Sequence, residues 1–145
     1  MFSTSVNNSY KNTAFVGGIV FVFILDRVLK LFAQLWGDQG GIFVYTHNSA
    51  LAFSLPAPAW ILTGAIPVIT FVFMVLALQA AWRGRYQGAC GYGLLAAGAL
   101  SNVLDRFFYG GVIDYIQFWI VPVFNLADMM IIVGLLILIT ERRIA

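Results

Sequence analysis

Four long apolar segments constrain the fold of this chain more than any other feature of its sequence. They cover about residues 13–36, 60–82, 89–108 and 124–139. As helices rising ~1.5 Å per residue, such segments are long enough, or nearly so, to cross a hydrocarbon core of roughly 30 Å. The chain is 61% hydrophobic and only 10% charged, well outside the range of soluble domains. We therefore predict an all-α membrane protein in which residues 1–145 form one integral membrane domain with four transmembrane helices.

Lysine and arginine assign the two sides of these predicted helices, because positive residues are enriched in cytoplasmic loops. They fall in the N-terminal tail, the second connection and the C-terminus, as Lys11, Arg83, Arg85, Arg142 and Arg143. Both termini are therefore expected in the cytoplasm, and connections 37–59 and 109–123 are expected outside. The first apolar segment is too long for a removed signal peptide and lacks its cleavage pattern, so we expect a retained helix after a short polar tail, residues 1–12.

The two outer connections contain short segments that are typical of β-strands. Ile42–Thr46 and Val112–Val121 each follow a Gly-Gly pair and are rich in β-branched and aromatic residues. The first outer connection is also too long to be a passive turn in a compact protein. We predict that these segments form a small extracytoplasmic β-containing platform at the outer ends of the helices.

Most of the acidic residues lie in or beside the outer connections. These are Asp26, Asp38, Asp105, Asp114 and Asp128. An unpaired ionisable side chain near hydrocarbon is costly, so such a cluster indicates a functional site. Asp26 and Lys30 are four residues apart on one helix face, and we expect them to form a structural ion pair. Arg27 points about 100° away from Asp26 and is expected to reach lipid phosphates.

The last two helices repeat one spacing of an amide and a carboxylate. Asn102 precedes Asp105 by three residues, and Asn125 precedes Asp128 by three, so each helix offers both groups on one face. Asp114, in the loop between them, is the natural third participant. Two carboxyl groups a few ångströms apart share one proton. Such a pair can activate water and protonate a leaving amine, as peptide hydrolysis requires.

Two other functions compete with hydrolysis for this acidic cluster. A proton-coupled or ion-coupled transporter would use the acids as a relay, and an assembly subunit would use Asp–Arg pairs between helices. The physics of the acids alone does not separate a protease from a transporter. A relay, however, needs acids at several depths, and the inner halves of the four predicted helices contain none. Pairing with the one nearby arginine, Arg106, cannot account for all of the aspartates.

Other residue types point away from metal, thiol and nucleic-acid chemistry. Cys90 is the only cysteine and is expected to pack near the cytoplasmic end of the third helix. His47 is the only histidine and is expected to make a local hydrogen bond. The net charge of +2 is explained by topology, so we expect no nucleic-acid partner. The proposed chemistry requires no metal or organic cofactor.

Ordered motifs along nearly the whole chain resemble those of the lipoprotein signal peptidases (signal peptidase II), which are bacterial membrane aspartyl proteases. The most specific part is an Asn-x-x-Asp-Arg motif and a Phe-Asn-x-Ala-Asp motif at opposite ends of one outer loop. The matching positions are Asp26 with Lys30, Asn48–Ser54, Gly98–Arg106, Gly110–Tyr115 and Phe124–Asp128.

The resemblance implies an aspartic endopeptidase whose catalytic pair is Asp114 and Asp128. It also implies that further residues position the substrate or hold the pair, namely Asp26, Lys30, Asn48, Asn102, Asp105, Arg106 and Asn125. The implied substrate is a diacylglyceryl-modified prolipoprotein, cut just before the lipid-modified cysteine at the outer leaflet of the bacterial cytoplasmic (inner) membrane. Membrane lipids are the other expected partners, and we expect the chain to act as a monomer.

Overall fold

The computed structural model describes residues 3–37, 41–49, 58, 60–118 and 120–144, with side chains described only between residues 14 and 141. Within these ranges the chain is mostly helical, with one small sheet. In chain order the elements are α1 (Ser3–Trp36), β1 (Phe43–Asn48), α2 (Ile66–Trp82), α3 (Tyr86–Tyr109), β2 (Val112–Phe118), β3 (Val121–Phe124) and α4 (Leu126–Ile144). A π-helical turn, Ile61–Ala65, leads directly into α2.

The four helices correspond to the four apolar segments, but some of their ends differ from the predicted ones. α1 is already helical from Ser3, within the expected polar tail, and α3 begins at Tyr86. Phe124, which was expected to open the fourth helix, ends strand β3 instead. A short apolar run does not by itself distinguish a strand from a helix, and here pairing with β2 decides the matter.

Among the described helices, Ile61–Trp82 is the one that can cross a membrane by length and composition alone. Its mean hydropathy is 2.5, and only 6% of its most apolar stretch is buried inside the protein. The core helix of a soluble protein would be mostly buried. This helix therefore presents an apolar surface that its own chain does not cover.

Helix α3 lies at the centre of the fold and packs on α4, α2 and α1. Glycines allow α3 and α4 to approach closely. A Cβ atom on Gly134 would lie 2.7 Å from the carbonyl oxygen of Gly91 and 3.0 Å from the backbone nitrogen of Leu95. Small residues at such contacts let helix backbones pack directly against one another, which is typical of helix pairs in membranes.

The three strands form one antiparallel sheet in the order β1-β2-β3, which confirms that both predicted segments contain strands. Thr46 of β1 lies opposite Asp114 of β2, and Ile116 of β2 lies opposite Phe124 of β3. The inner face of the sheet packs on the end of α1, where Ala33, Ile113 and Tyr115 form a fully buried apolar cluster. The sheet therefore fixes the position of Asp114 relative to the helices.

A tight turn leads from α3 into β2 within three residues. Gly110 ends the helix with φ +76°, a left-handed conformation that favours glycine, and its N–H donates to the Arg106 carbonyl at 3.1 Å. At Gly111 a Cβ atom would lie 2.6 Å from the His47 ring, so β1 and β2 approach closely there. The His47 Nε2 lies 3.0 Å from the Tyr109 carbonyl oxygen, so the expected hydrogen bond is present, but its partner is 62 positions away in the chain and not local.

Candidate active site

Asp114 lies on the middle strand of the sheet and is buried, with only 3% of its surface exposed. Two asparagine side chains donate to its carboxylate. Asn48, the last residue of β1, donates to Oδ2 at 3.1 Å, and Asn125 donates to Oδ1 at 2.6 Å. An asparagine amide can donate without adding a charge, so both donors hold the Asp114 carboxylate in place without neutralising it.

Asp128 lies in the first turn of α4 and forms a reciprocal cap with Asn125. The Asp128 N–H donates to Asn125 Oδ1 at 2.9 Å, and the Asn125 N–H donates back to Asp128 Oδ2 at 3.4 Å. This is a capping box, which satisfies two backbone donors at the start of a helix. The spacing of these two residues therefore has a structural role at the beginning of α4, whatever its chemical role.

The amides of Asn102 and Asn125 connect the two carboxylates. Asn102 Nδ2 donates to Asp128 Oδ1 at 2.9 Å, and Asn125 Nδ2 lies 3.3 Å from Asn102 Oδ1. A chain of side-chain hydrogen bonds thus runs from Asp114 through both asparagines to Asp128. The structure brings together four residues that the sequence places on three different elements.

Both aspartates line a cavity of about 560 Å³ between α3, α4, the start of α2 and the β2–β3 hairpin. Its wall is largely apolar and includes Phe118, Met129 and Ile132. The polar residues that line it are Asn48, Asn102, Arg106, Asp114 and Asp128. An apolar cleft with a few convergent polar groups is the usual form of a binding site.

Behind this cavity, Asp26, Lys30 and Asp105 form an ion network that is fully buried. Lys30 Nζ lies 3.1 Å from Asp26 Oδ2 and 2.7 Å from Asp105 Oδ2, so the predicted pair of Asp26 and Lys30 is confirmed. Arg27 forms an ion pair with the other oxygen of Asp105. The expectation that Arg27 reaches lipid phosphates was wrong, because α3 supplies a buried carboxylate within its reach.

Two residues of this network were not predicted from the sequence. Ser101 donates to Asp26 Oδ2 at 2.6 Å, and Tyr115 donates to Asp26 Oδ1 at 2.9 Å. Both side chains are buried, and both lie next to a predicted site residue in the chain. That adjacency is the signal that could have identified them. Within the motif that begins at Asn48, residues 50–54 lie outside the described part of the chain, as does Asp38.

The electrostatic environment of Asp114 favours its protonated form. Burial raises the pKa of the Asp114 carboxyl to about 6, and the nearby Asp128 carboxylate acts in the same direction, while the Asn48 and Asn125 donors oppose the rise. An unperturbed aspartate has a pKa of about 3.9. Two carboxyl groups in one cavity, one of them able to hold a proton near neutral pH, can together act as general acid and general base. In the described part of the chain, no group of three or more His, Cys, Asp or Glu residues could hold a metal ion.

Comparisons with known proteins agree with the resemblance. A family model described as signal peptidase (SPase) II matches residues 18–143. The lipoprotein signal peptidase of Syntrophomonas wolfei is 37% identical over 138 residues, covering 86% of this chain and 89% of the relative. The lipoprotein signal peptidase of Brucella ovis is 30% identical over 139 residues, covering 86% of each protein.

Two solved structures of bacterial membrane enzymes share this fold. Both were determined by the in meso method, one at 2.3 Å and the other at 1.9 Å resolution. They superimpose with TM-scores of 0.65 and 0.63, at 22% and 21% sequence identity. Each covers 89% of this chain, and the matched part is 87% of the first structure and 92% of the second.

Proposed function

This chain belongs to the signal peptidase II family, and on that premise we propose that it removes signal peptides from diacylglyceryl-modified prolipoproteins by cutting just before the lipid-modified cysteine. The proposed catalytic pair is Asp114 and Asp128. The observation that carries this assignment is that both aspartates line one cavity and are linked through two asparagine amides. Membership of a peptidase family also favours hydrolysis over the transport and assembly functions considered above.

The charges around the site support a catalytic pair that shares one proton. The buried network and the cavity together contain four aspartates, Asp26, Asp105, Asp114 and Asp128. They also contain three cations, Arg27, Lys30 and Arg106. The excess of one negative charge is removed if Asp114 and Asp128 hold one proton between them, and a region of low dielectric strongly favours such neutrality.

A singly protonated pair can carry out both halves of peptide hydrolysis. The ionised carboxylate takes a proton from a water molecule as that water attacks the scissile carbonyl carbon, while the protonated partner donates to the developing oxyanion. The carboxyl group that gained a proton then donates it to the leaving amine, and as the C–N bond breaks the partner takes back a proton from a hydroxyl of the tetrahedral diol. Each group returns to a state from which the next cycle can begin.

The neighbouring polar residues are proposed to hold this pair and the substrate backbone. Asn125 and Asn48 fix the two oxygens of Asp114, and Asn102 fixes one oxygen of Asp128. Arg106 lines the same cavity, where its guanidinium group can offset negative charge that develops during the reaction. Asp26, Lys30 and Asp105 are proposed to support the site from behind.

A membrane location at the outer leaflet fits the distribution of apolar and charged side chains. Large apolar residues are exposed on each helix, for example Phe21, Val68, Phe107 and Leu136. The buried ions and the sheet lie at one end of α3, and the pair of Arg85 with Glu141 lies at the other. This separation supports one integral membrane domain with four transmembrane helices, cytoplasmic termini and an outward-facing site. A bacterial membrane is the location typical of the family.

The cavity also suits the proposed substrate. Its largely apolar wall can receive the apolar signal helix and the acyl chains, and its few polar groups can orient the peptide bond. The β2–β3 hairpin forms part of this wall, so it partly covers the aspartates and limits the access of bulk water, while the reaction uses a single water molecule in the site. We propose that a single copy of the chain is sufficient, since one chain supplies every residue of the pair and its supports.

Cleavage of a diacylglyceryl-modified prolipoprotein by purified protein tests the proposal. We expect the wild type to release the signal peptide and Asp114→Asn and Asp128→Asn each to lose about 10³-fold in rate, because removing an acid-base group typically costs 10²–10⁴-fold. Glu141→Gln is the matched control, since Glu141 lies at the opposite end of the helices. An inactive wild type, or a folded Asp variant with near-normal activity, would refute the assignment.

A further inference from the structure

The amide of Asn102 has one buried ammonium group on one side and one proposed catalytic carboxylate on the other. Lys30 Nζ donates to Asn102 Oδ1 at 2.9 Å, while Asn102 Nδ2 donates to Asp128 Oδ1 at 2.9 Å. A lysine ammonium group can only donate hydrogen bonds, so it cannot accept one from the amide NH₂ group. Contact with Lys30 therefore orients the amide with its oxygen toward the lysine and its NH₂ toward Asp128.

The other donor to the Asn102 oxygen is weaker. Asn125 Nδ2 has two protons and three acceptors within reach, and the Asn102 oxygen is the most distant of them at 3.3 Å. The other two are Asp114 Oδ1 at 2.6 Å and the Ile113 carbonyl oxygen at 3.2 Å. The two protons of Asn125 Nδ2 are therefore directed mainly at Asp114 and Ile113. The orientation of the Asn102 amide depends mainly on Lys30.

We propose that Lys30 is a positioning residue for the reaction, because it prevents the Asn102 amide from turning over and so maintains a hydrogen-bond donor to Asp128. This inference rests on the proposed function of Asp114 and Asp128. A donor to a carboxylate stabilises its ionised form. If the amide turns over, its oxygen faces Asp128 instead, and that arrangement stabilises the protonated form.

Loss of this orientation changes the pH at which the catalytic pair becomes active. Without the Lys30 contact, the pair takes up its second proton at a higher pH, so the acid limb of the activity profile moves to higher pH. The charged and titratable groups that surround Lys30 and Asp128 come from α1, α3 and β2 and are Asp26, Arg27, Asp105, Arg106, Asp114 and Tyr115. The test must therefore separate the effect of the Asn102 amide orientation on the acid limb from the effect of the net charge of these groups.

A charge-balanced variant achieves that separation. Lys30→Met alone leaves two buried carboxylates with one cation, Arg27, and can fail to fold. In Lys30→Met/Asp26→Asn one positive and one negative charge are removed together, and the ion pair between Arg27 and Asp105 is retained. Asn at position 26 can still accept from the Tyr115 hydroxyl and the Ala127 N–H through its oxygen. This variant tests the orientation of the amide with the net charge unchanged.

Ser101→Ala is the matched control. The Ser101 hydroxyl contacts Lys30 Nζ at 3.3 Å and donates to Asp26, so its removal disturbs the same buried network without removing the Lys30 contact to Asn102. We expect Ser101→Ala to be less stable but to keep the wild-type acid limb. In the charge-balanced variant we expect the midpoint of the acid limb of kcat/KM for prolipoprotein cleavage to move to higher pH by about one unit. The accompanying loss of activity should lie mainly in kcat.

Infrared titration of the protonated carboxyl band provides a readout that needs no substrate. The band of the protonated Asp128 carboxyl is identified because it disappears in Asp128→Asn. This band should persist to higher pH in the charge-balanced variant than in the wild type and in Ser101→Ala. Equal titration in all three proteins, or an equal shift in the variant and in the control, would overturn the role of Lys30. Inactivity of the wild type toward prolipoprotein would refute the proposed function instead and would leave the infrared comparison intact.

Discussion

The hydroxyl of Tyr115 lies 2.9 Å from Asp26 Oδ1, although the two residues are 89 positions apart in the chain. The same hydroxyl accepts a hydrogen bond from the Leu126 N–H at 3.1 Å, and the same carboxylate oxygen accepts one from the Ala127 N–H at 3.2 Å. A buried hydroxyl and a buried carboxylate together satisfy the first backbone donors of α4. They therefore fix the helix turn that carries Asp128.

Tyr115→Phe should destabilise the protein without creating a cavity. It leaves the partly buried Leu126 N–H without its acceptor and the buried Asp26 carboxylate without one of its donors, which should lower the free energy of unfolding by about 1–3 kcal/mol. Thermal unfolding in detergent measures this loss. Tyr45→Phe, at a half-exposed tyrosine of β1, is the control and should change stability by less than about 0.5 kcal/mol. Equal stability of the two variants would contradict the prediction.

Arg27→Met should be far more harmful than Arg85→Met, although each removes one ion pair. The carboxylate of Asp105 is fully buried, so the loss of Arg27 leaves it under-compensated and should reduce the free energy of unfolding by about 3–5 kcal/mol. Arg85 is half-exposed, and its pair with Glu141 should be worth about 1 kcal/mol or less. Chemical unfolding of both variants gives the comparison, and similar losses would show that burial is not the deciding factor.

Gly98→Ala should push α4 away from α3 directly beneath the proposed site. The added methyl group would lie 2.9 Å from Ile131 Cγ1 and 3.1 Å from Met130 Cβ, and it would also contact the Ala127 carbonyl. Such overpacking should cost about 1–3 kcal/mol of stability, and peptidase activity should fall because Asp128 follows Ala127. The control, Gly18→Ala, adds a methyl group in open space on a helix and should be neutral or stabilising by up to about 1 kcal/mol. Wild-type stability and activity in Gly98→Ala would contradict the close contact.

Asp114→Asn should gain stability relative to the wild type as the pH rises. The folded-state pKa of Asp114 is raised to about 6, so the protonated carboxyl contributes stability that is fully present below about pH 4 and is lost as the pH rises through 6. Asparagine does not titrate. The stability difference between the variant and the wild type should therefore widen in favour of the variant by roughly 2–3 kcal/mol between pH 4 and pH 7. Melting temperatures measured across this range give the result, and a constant difference would contradict a raised pKa.

Patterns within short stretches of the sequence predicted much of this molecule. Apolar runs predicted the four helices, and glycine pairs followed by β-branched residues predicted the strands. The spacing of Asp26 and Lys30 predicted their ion pair, because residues four apart on a helix are neighbours. In each case the relevant contact is local, so the sequence contains enough information to define it.

Several contacts between distant positions outside the aspartate–asparagine cluster were not predicted. Nothing near Arg27 in the sequence indicates that Asp105 lies within reach, because that pair depends on how α1 packs against α3. The start of α4 was placed two residues too early, because an apolar run does not show that Val121–Phe124 pairs with β2. The capping box of Asn125 and Asp128 is local and could have been recognised, but its residue types equally suggested a catalytic role.

The bond between the Asp26 carboxylate and the Ala127 N–H joins positions 101 residues apart, and this separation has a consequence for biosynthesis. Residue 26 is added to the growing chain about 5 to 20 s before residue 127, at 5–20 residues per second. Until residue 114 is made the chain has neither of its two cavity aspartates, and until residue 128 is made it has only Asp114. With Asp114 and Asp128 as the proposed catalytic pair, proteolysis can therefore begin only after the start of the last helix has been made, and an unfinished copy cannot cleave other proteins in the membrane.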